Sequence, residues 1–260
     1  MKRNIKIYVI SHSKDDIKKI DMDKDIYVPL FVGRDGKDNL GFLSDDTGDN
    51  ISYRNPNYCE MTGFYWMCKN SDADIIGLVH YRRYFSKKSF GKPINRQDIE
   101  EYLNNYDLIV PEKNVYIKGN VYENVGPNLI NHIHLARDTI EKLYPDYLES
   151  FDKVMNGGEL SFFNMFIGSK ELMNKYSDWI FSILFDMDDK FDLSLQPRLP
   201  GVLTELLFNV WIEHNNLKTK ELKLRYLGTK LSLKMFFIKT KFFRKLISPV
   251  YTIILNRIKV

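Results

Sequence analysis

The stretch that decides the fold is Ile75-Ile-Gly-Leu-Val79, followed directly by His80-Tyr-Arg-Arg-Tyr84. Its unbroken apolar run predicts a strand buried on both faces, as in a parallel sheet. The polar group that follows stands at the carboxyl end of this strand, where open α/β sheets bind their ligands. The stretch therefore predicts both a central sheet and the edge of that sheet where chemistry takes place.

Strand and helix patterns alternate along most of the remaining chain, which favours an α/β fold with a mostly parallel sheet and helices on both faces. Residues 119–131 have loop composition. The helix at 58–69 follows Asn55-Pro-Asn57; either Asn55 caps it with Pro56 in the first turn, or Asn57 caps it with Glu60 three residues later. The predicted strands are residues 5–10, 26–32, 75–79, 108–111 and 160–168, and the predicted helices are residues 58–69, 95–104, 132–144, 170–185 and 202–214.

The composition is that of a water-soluble globular protein, with 44% apolar and 28% charged residues among 260. That length accommodates one catalytic domain and a short appendage. Cys59 and Cys68 are the only cysteines, too few for a disulfide framework or a four-cysteine zinc site. No stretch reaches the roughly 20 apolar residues of a membrane span, and no signal-peptide pattern opens the chain. We therefore expect a cytoplasmic protein.

Charge divides the chain into an acidic body and a basic tail. Residues 218–260 contain twelve Lys and Arg against Glu221 alone, a net charge of +11, whereas residues 1–217 carry −7. Four phenylalanines stand among the basic residues between 236 and 243. Because Lys and Arg bind anionic headgroups and aromatic rings enter the acyl boundary, the pattern favours a membrane-associating amphipathic tail on a domain of residues 1–217. An amphipathic helix packed on its own domain is the alternative; nucleic acid is disfavoured, since no nucleic-acid-binding motif accompanies the charge.

Two adjacent arginines follow the central strand. Arg82 and Arg83 stand among tyrosines, a group that suits bidentate binding of a diphosphate; a salt-bridged surface turn is the alternative. Asp72-Ala-Asp74 has the Asp-x-Asp spelling with which many sugar-nucleotide enzymes hold a divalent cation. It precedes the strand, however, and so belongs at the opposite edge of the sheet. The arginines are therefore the predicted anion site.

Three motifs resemble those of a known family. They are Asn55-Pro-Asn-Tyr-Cys-Glu60 with Tyr65-Trp66, Ile76-Gly-Leu-Val-His80-Tyr-Arg-Arg-Tyr-Phe85, and Asn164-Met-Phe-Ile167. From about residue 5 to residue 214 the chain resembles the bacterial capsular and exopolysaccharide glycosyltransferases first catalogued as a domain of unknown function. Some members of that family transfer galactofuranose from its uridine-diphosphate donor. The basic tail lies outside the resemblance.

The resemblance implies a sugar-nucleotide fold of the GT-A kind, in which His80 and Arg82 replace the two aspartates of the Asp-x-Asp motif. Positive groups stabilise a diphosphate leaving group as a divalent cation does, so no metal cofactor is expected, with Mn²⁺ or Mg²⁺ as the alternative. The alternative for His12 is a hydrogen-bonded turn residue that binds no donor. The alternative for Glu60 is a carboxylate that caps a helix. The candidate donor-binding residues are Ser11, His12, Asn55, Glu60, His80 and Tyr81.

An inverting transferase needs a carboxylate that deprotonates the acceptor hydroxyl. Glu205, early in the helix after Pro200-Gly201, is the candidate base, although Leu206 follows it where the resembling family usually has Arg. A first-turn Glu favoured by the helix dipole is the alternative. The candidates for the acceptor and sugar pocket are Asn164, Tyr84 and Asp138, and the fallback bases are His132, His134 and Asp138.

Together these features predict a glycosyltransferase whose catalytic residues are Glu205, Arg82 and Arg83. It would transfer a hexose, galactofuranose or galactose, from a UDP-sugar to a lipid-linked oligosaccharide in capsular or other cell-surface polysaccharide synthesis. It would act at the inner face of the cell membrane, bound peripherally through its tail. The alternative is a non-catalytic, membrane-associated scaffold of polysaccharide assembly.

Overall fold

The computed structural model describes residues 3–18, 22–38, 41–89, 91–116, 118–191, 193 and 197–227. Seven strands form the central sheet: β1 (Ile5–Ser11), β2 (Tyr27–Phe31), β3 (Ile75–His80), β4 (Arg83–Ser86), β5 (Leu108–Pro111), β8 (Phe166–Ser169) and β9 (Thr219–Tyr226). Two short strands, β6 (Asn114–Val115) and β7 (Glu159–Leu160), form a separate ribbon. The helices are α1 (Lys14–Lys18), α2 (Asn55–Tyr58), α3 (Met61–Asn70), α4 (Arg96–Leu103), α5 (Val121–Asn124), α6 (Pro127–Leu143), α7 (Leu148–Met155), α8 (Lys170–Met187) and α9 (Leu199–His214).

The sheet is mixed, so the prediction of a mostly parallel sheet is wrong. Strand β1 pairs in parallel with β2 and β3, and β5 pairs in parallel with β9. The β3–β4, β3–β8, β4–β9 and β5–β8 pairs are antiparallel. One reason is local. Only two residues separate the end of β3 from the start of β4, and this connection is too short for the crossover that a parallel neighbour needs. Apolar runs predict buried strands but not their direction.

Strand β3 lies at the centre of the molecule, as its apolar run predicts. Its residues from Ile75 to Val79 are at most 2% exposed where they carry a side chain. Gly77 is required by packing, because a Cβ there would lie 2.7 Å from Ile167 and 2.8 Å from Ile7. On one face, Ile76 and Leu78 join a core shared with α3 and α6 to α9; on the other, Ile75 and Val79 join a smaller core with α4. Helices therefore cover both faces, as expected.

Three predicted elements are interrupted. The helix expected over 58–69 is divided into α2 and α3, because Cys59 has a left-handed φ of 53° that no helix accommodates. The strand expected over 160–168 is divided into β7 and β8. Two residues with positive φ, Phe163 at 81° and Asn164 at 47°, lie between them. The loop expected over 119–131 contains α5 and the first turn of α6.

The segment assigned to the basic tail begins inside the folded body. Strand β9 pairs with β4 on one side and β5 on the other, so residues 219–226 belong to the central sheet. Most of the tail, residues 228–260, lies outside the described residues. Within the part of the chain that is described, no helix combines the length and apolar character needed to cross a membrane.

Candidate active site

The site is built around the turn between β7 and β8, where Phe163 and Asn164 are both left-handed without being glycine. Such backbone is strained and persists only when neighbouring groups hold it. Side chains from two other elements do so here. The Phe163 N–H donates to Glu205 Oε2 of α9 at 2.9 Å, and the Phe163 carbonyl is 2.8 Å from His80 Nε2 at the end of β3. The turn thus brings Glu205 and His80 to one place at the carboxyl end of the central strand.

Asn164 links this turn to two more elements. It is 2% exposed, and its Nδ2 donates to Glu60 Oε1 at 2.7 Å and to the Gly201 carbonyl at 3.1 Å. Its Oδ1 is buried and has no hydrogen-bond partner among the described residues. A buried amide oxygen left without a partner is costly, so it marks a position where a ligand hydroxyl would be stabilising.

Helix α9 begins in close contact with the break between α2 and α3. A Cβ at Gly201 would lie 3.1 Å from Cys59 Sγ and 3.3 Å from the Tyr58 carbonyl, so glycine permits this approach. Arg198, just before the helix, donates from Nε to the same sulfur at 3.0 Å. The contact holds Glu60, the next residue along the chain, beside the first turn of α9.

Glu205 has a perturbed acidity. Its pKa is raised to about 7, chiefly by burial and also by charge repulsion from Glu60, although the Phe163 N–H, Arg83 and Arg198 act in the opposite direction. A carboxyl group with a pKa near the working pH is both present as its base and strong enough to accept a proton, which is what general-base catalysis requires.

The two histidines of the site are held neutral. Burial lowers the pKa of His80, with Glu60 and the Phe163 carbonyl opposing this effect and Arg83 and Arg198 adding to it. Since a carbonyl only accepts, the proton of neutral His80 resides on Nε2. Burial also lowers the pKa of His12, with Asp16 opposing it and His80 adding to it. His80 therefore acts as a hydrogen-bond donor that fixes the turn, not as a cation.

The adjacent arginines differ in their surroundings. The Arg83 guanidinium carbon lies 4.5 Å from the centroid of the Phe163 ring and 5.9 Å from that of Tyr226. Arg82 is exposed, and its guanidinium carbon lies 4.6 Å from the centroid of the Tyr81 ring. Only Arg83 reaches the Phe163 turn.

Comparisons with known proteins agree with this picture. The family model described as a domain of unknown function, DUF4422, matches residues 6–216. The chain belongs to this family. A solved apo structure of the bifunctional glycosyltransferase WbbM is similar over 87% of the chain, at 30% identity and a TM-score of 0.77. The match covers 46% of that structure's chain, so the protein spans less than half of its length. No curated protein matches.

In this DUF4422 protein, several predicted site residues serve the scaffold. The Ser11 hydroxyl is fully buried and donates to the Val9 carbonyl of its own strand at 3.1 Å. Asn55 donates from Nδ2 to the Cys59 carbonyl at 2.7 Å, bracing the helix break. Tyr84 is fully buried, and its hydroxyl donates to the Tyr81 carbonyl at 3.1 Å. Tyr84 therefore belongs to the core, and its assignment to the acceptor pocket is wrong.

The fallback bases all lie on helix α6. The ring of His132 stacks on Phe191, and that of His134 stacks on Tyr122. Asp138 is exposed on the same helix, which packs on α7, α8 and α9.

The aspartates of the Asp-x-Asp spelling, and Asp45 in the loop that follows β2, are engaged in other contacts. Asp72 and Asp74 precede β3, where Asp72 pairs with Lys6 and Asp74 accepts the Asn4 N–H at 2.7 Å. Asp45 is fully buried and accepts hydrogen bonds from Gly33 and Thr62, among others. Over the described ranges, no group of three or more His, Cys, Asp or Glu side chains is arranged to hold a metal ion.

The structure adds one residue that sequence reasoning missed. Arg198 is close enough to the site for its charge to lower the pKa of both Glu205 and His80. In the sequence it stands in Arg198-Leu-Pro-Gly201, which reads as a chain break. The signal available in the sequence is its place just before the predicted helix at 202–214.

Proposed function

We propose that this protein is a glycosyltransferase of the GT-A kind that transfers a hexose from a UDP-sugar to a hydroxyl of a lipid-linked oligosaccharide. The observation that carries the proposal is Glu205, a partly buried carboxyl group with a pKa of about 7, held by the Phe163 N–H at the carboxyl end of the central strand. The similarity to WbbM, a bifunctional glycosyltransferase, supports the reaction class. Galactofuranose and galactose are the hexoses to test first.

Glu205 supplies the base of the proposed reaction. Its carboxylate takes the proton of the acceptor hydroxyl as the acceptor oxygen bonds to the anomeric carbon of the donor sugar. The bond from that carbon to the diphosphate oxygen breaks in the same displacement, and UDP leaves with the bonding electron pair. A single displacement of this kind inverts the anomeric configuration. Arg83, beside the turn that holds Glu205, neutralises the charge that develops on the diphosphate.

Asn164 and Glu60 form the proposed sugar subsite. Glu60 is 7% exposed and accepts a hydrogen bond from Asn164, whose own Oδ1 has no partner in the described part of the chain. Sugar hydroxyls both donate and accept, so they can satisfy this amide oxygen and the remaining lone pairs of the carboxylate. Asn164 is thus proposed to orient the transferred sugar.

We propose that transfer needs no divalent metal. The carboxyl end of β3 carries His80 followed by two arginines, and the Asp-x-Asp aspartates stand at its other end. A divalent cation beside a guanidinium lacks the oxygen ligands that Mg²⁺ and Mn²⁺ prefer. Positive charge for the leaving group would therefore come from arginine.

The proposed setting is the cytoplasmic face of the membrane. Residues 228–260 retain eight Lys and Arg with no acidic residue, interleaved with aromatic and aliphatic side chains. That composition suits peripheral binding to anionic lipid, where a lipid-linked acceptor resides.

A ligand screen followed by a transfer assay tests the proposal. Purified protein is heated with each of a panel of nucleotide sugars, and a rise in melting temperature identifies the donor, because a ligand that binds the native state stabilises it. The donor that binds is then incubated with and without lipid-linked oligosaccharide. Binding followed by acceptor-dependent release of UDP supports an enzyme. Binding without any turnover would favour the scaffold alternative, and no binding by any nucleotide sugar would contradict the proposal.

A further inference from the structure

Arg198 is an anchored side chain at the mouth of the candidate site. Its Nε donates to Cys59 Sγ at 3.0 Å, a contact that restrains the plane of the guanidinium group. Cys59 is itself fixed, with a left-handed backbone and 9% exposure. A guanidinium group that is already held in one orientation loses less conformational entropy when it binds a phosphate.

The first turn of α9 connects Arg198 to the sugar subsite. The Gly201 carbonyl accepts from Asn164 Nδ2 at 3.1 Å, and the same amide nitrogen reaches Glu60 at 2.7 Å. Arg198 precedes Gly201 by three residues and contacts the residue next to Glu60. Arg198, Glu60 and Asn164 therefore form one contiguous cluster.

Arg83 stands on the other side of this cluster. It stacks on Phe163 at 4.5 Å, and the Phe163 N–H holds Glu205. The charges of Arg83 and Arg198 both lower the pKa of Glu205 and of His80, so the two guanidinium groups flank the same carboxyl group and imidazole. Arg82 lies exposed over Tyr81.

We infer that Arg198, paired with Arg83, is the second guanidinium that binds the diphosphate of the donor, in place of Arg82. The inference rests on the proposed function and specifies which residues bind the leaving group. Helix α9 supports it, because its 16 residues present the positive end of the helix dipole beside Arg198. A diphosphate bound between the two arginines would lie close to Glu205 and the acceptor, where charge develops during transfer.

The test measures UDP and UMP affinities by calorimetry for the wild type, Arg198→Ala, Arg198→Lys and Arg82→Ala. Because charge-assisted bidentate hydrogen bonds are the strong ones, Arg198→Ala should weaken UDP binding roughly 10- to 100-fold while weakening UMP binding less. Arg198→Lys should retain part of the affinity, since it keeps the charge and loses the fork. Arg82 is also an exposed arginine near the site. Its replacement in Arg82→Ala should change UDP affinity less than about threefold.

Wild-type UDP affinity in Arg198→Ala, together with a loss in Arg82→Ala, would overturn the inference while leaving the proposed function intact. A wild type that binds neither UDP nor any UDP-sugar would instead contradict the proposed function. Unchanged melting temperature in Arg198→Lys excludes misfolding as the cause of a loss. Cys59→Ser leaves Arg198 in place and weakens its anchor, so its UDP affinity should fall between those of the wild type and Arg198→Ala.

Discussion

Replacing Glu205 by Gln should separate the chemistry of the site from its architecture. Gln keeps the length of the side chain, and its amide oxygen can still accept the Phe163 N–H that Glu205 Oε2 accepts at 2.9 Å. The capacity to take a proton is lost. Turnover should therefore fall by at least ~100-fold, the usual range for general-base catalysis, while the donor dissociation constant changes little.

The pH dependence gives a second, independent readout. With a pKa of about 7, the wild-type rate should rise about tenfold per pH unit in the acid range and level off above pH 7, whereas the residual rate of Glu205→Gln should lack this step. The pKa is raised from its ordinary value of 4.5, so the ionised carboxylate destabilises the native state. At roughly 1.36 kcal/mol per pKa unit, ionisation of Glu205 lowers the free energy of unfolding by about 3 kcal/mol. The cost is absent below pH 4.5 and grows as the pH rises through 7.

Glu205→Gln should therefore melt at a higher temperature than the wild type at pH 8 but not at pH 4.5. Glu213→Gln is the matched control: it lies eight residues further along α9, where Glu213 pairs with Lys153 at the surface, and neither turnover nor its pH profile should change. Near-normal turnover in Glu205→Gln, or a wild-type profile without a group near pH 7, would refute the assignment of the base.

Three further predictions concern the tail, the metal and the packing of α9. Truncation after Thr229 should abolish binding to anionic vesicles in a sedimentation assay while leaving the melting temperature unchanged. High salt should weaken vesicle binding by the full-length chain. Vesicle binding by the truncated protein would contradict the role of the tail as an anchor. Excess chelator should leave the transfer rate unchanged, whereas loss of turnover restored by Mn²⁺ or Mg²⁺ would show that a metal takes part. Gly201→Ala should lower the free energy of unfolding by about 1–3 kcal/mol, because the new Cβ lies 3.1 Å from Cys59 Sγ. Gly126→Ala, which meets no atom within 4 Å, should change it by less than about 0.5 kcal/mol; equal effects in denaturant titrations would argue against close packing at Gly201.

The central strand and the site that follows it could be predicted because their patterns are local. Five residues from Ile75 to Val79 specify a buried strand, and His80 lies at its carboxyl end, the edge at which open α/β sheets bind their ligands. The Asp-x-Asp spelling precedes this strand in the sequence. Asp72 and Asp74 accordingly lie at the amino end of β3, opposite the end that carries His80. Such inferences need only the order of residues within one element.

The turn at Phe163 and Asn164 could not be predicted, because both residues are left-handed without glycine to mark the change of direction. The apolar run from residue 160 to 168 therefore resembles one continuous strand. What holds the turn is tertiary: Glu205 and His80 bind the Phe163 backbone from positions 42 and 83 residues away in the chain. Strain of this kind is stable only in the assembled fold, so a local pattern cannot reveal it.

Sheet direction and the start of the tail were missed for a related reason. Strand β9 carries three basic residues, Lys220, Lys223 and Arg225, and Lys218 directly precedes it, so its composition resembles that of the tail that follows. The charge is compatible with the sheet because long side chains extend over aromatic rings, as Lys218 and Lys220 do over Tyr106. Arg198 could not be predicted as a site residue, because its position depends on a contact with Cys59, 139 residues away in the chain.

Acceptor-dependent transfer by the purified full-length protein is the most direct test of the proposed glycosyltransferase activity. UDP release from UDP-galactofuranose and UDP-galactose is followed with and without lipid-linked oligosaccharide, and the acceptor is analysed by mass spectrometry. The wild type should release UDP in step with the appearance of an acceptor one hexose heavier, and Glu205→Gln should form at most about one hundredth as much product in the same time. A wild type that leaves every nucleotide sugar intact and the acceptor unmodified, while binding vesicles normally, would contradict the transferase and favour a scaffold.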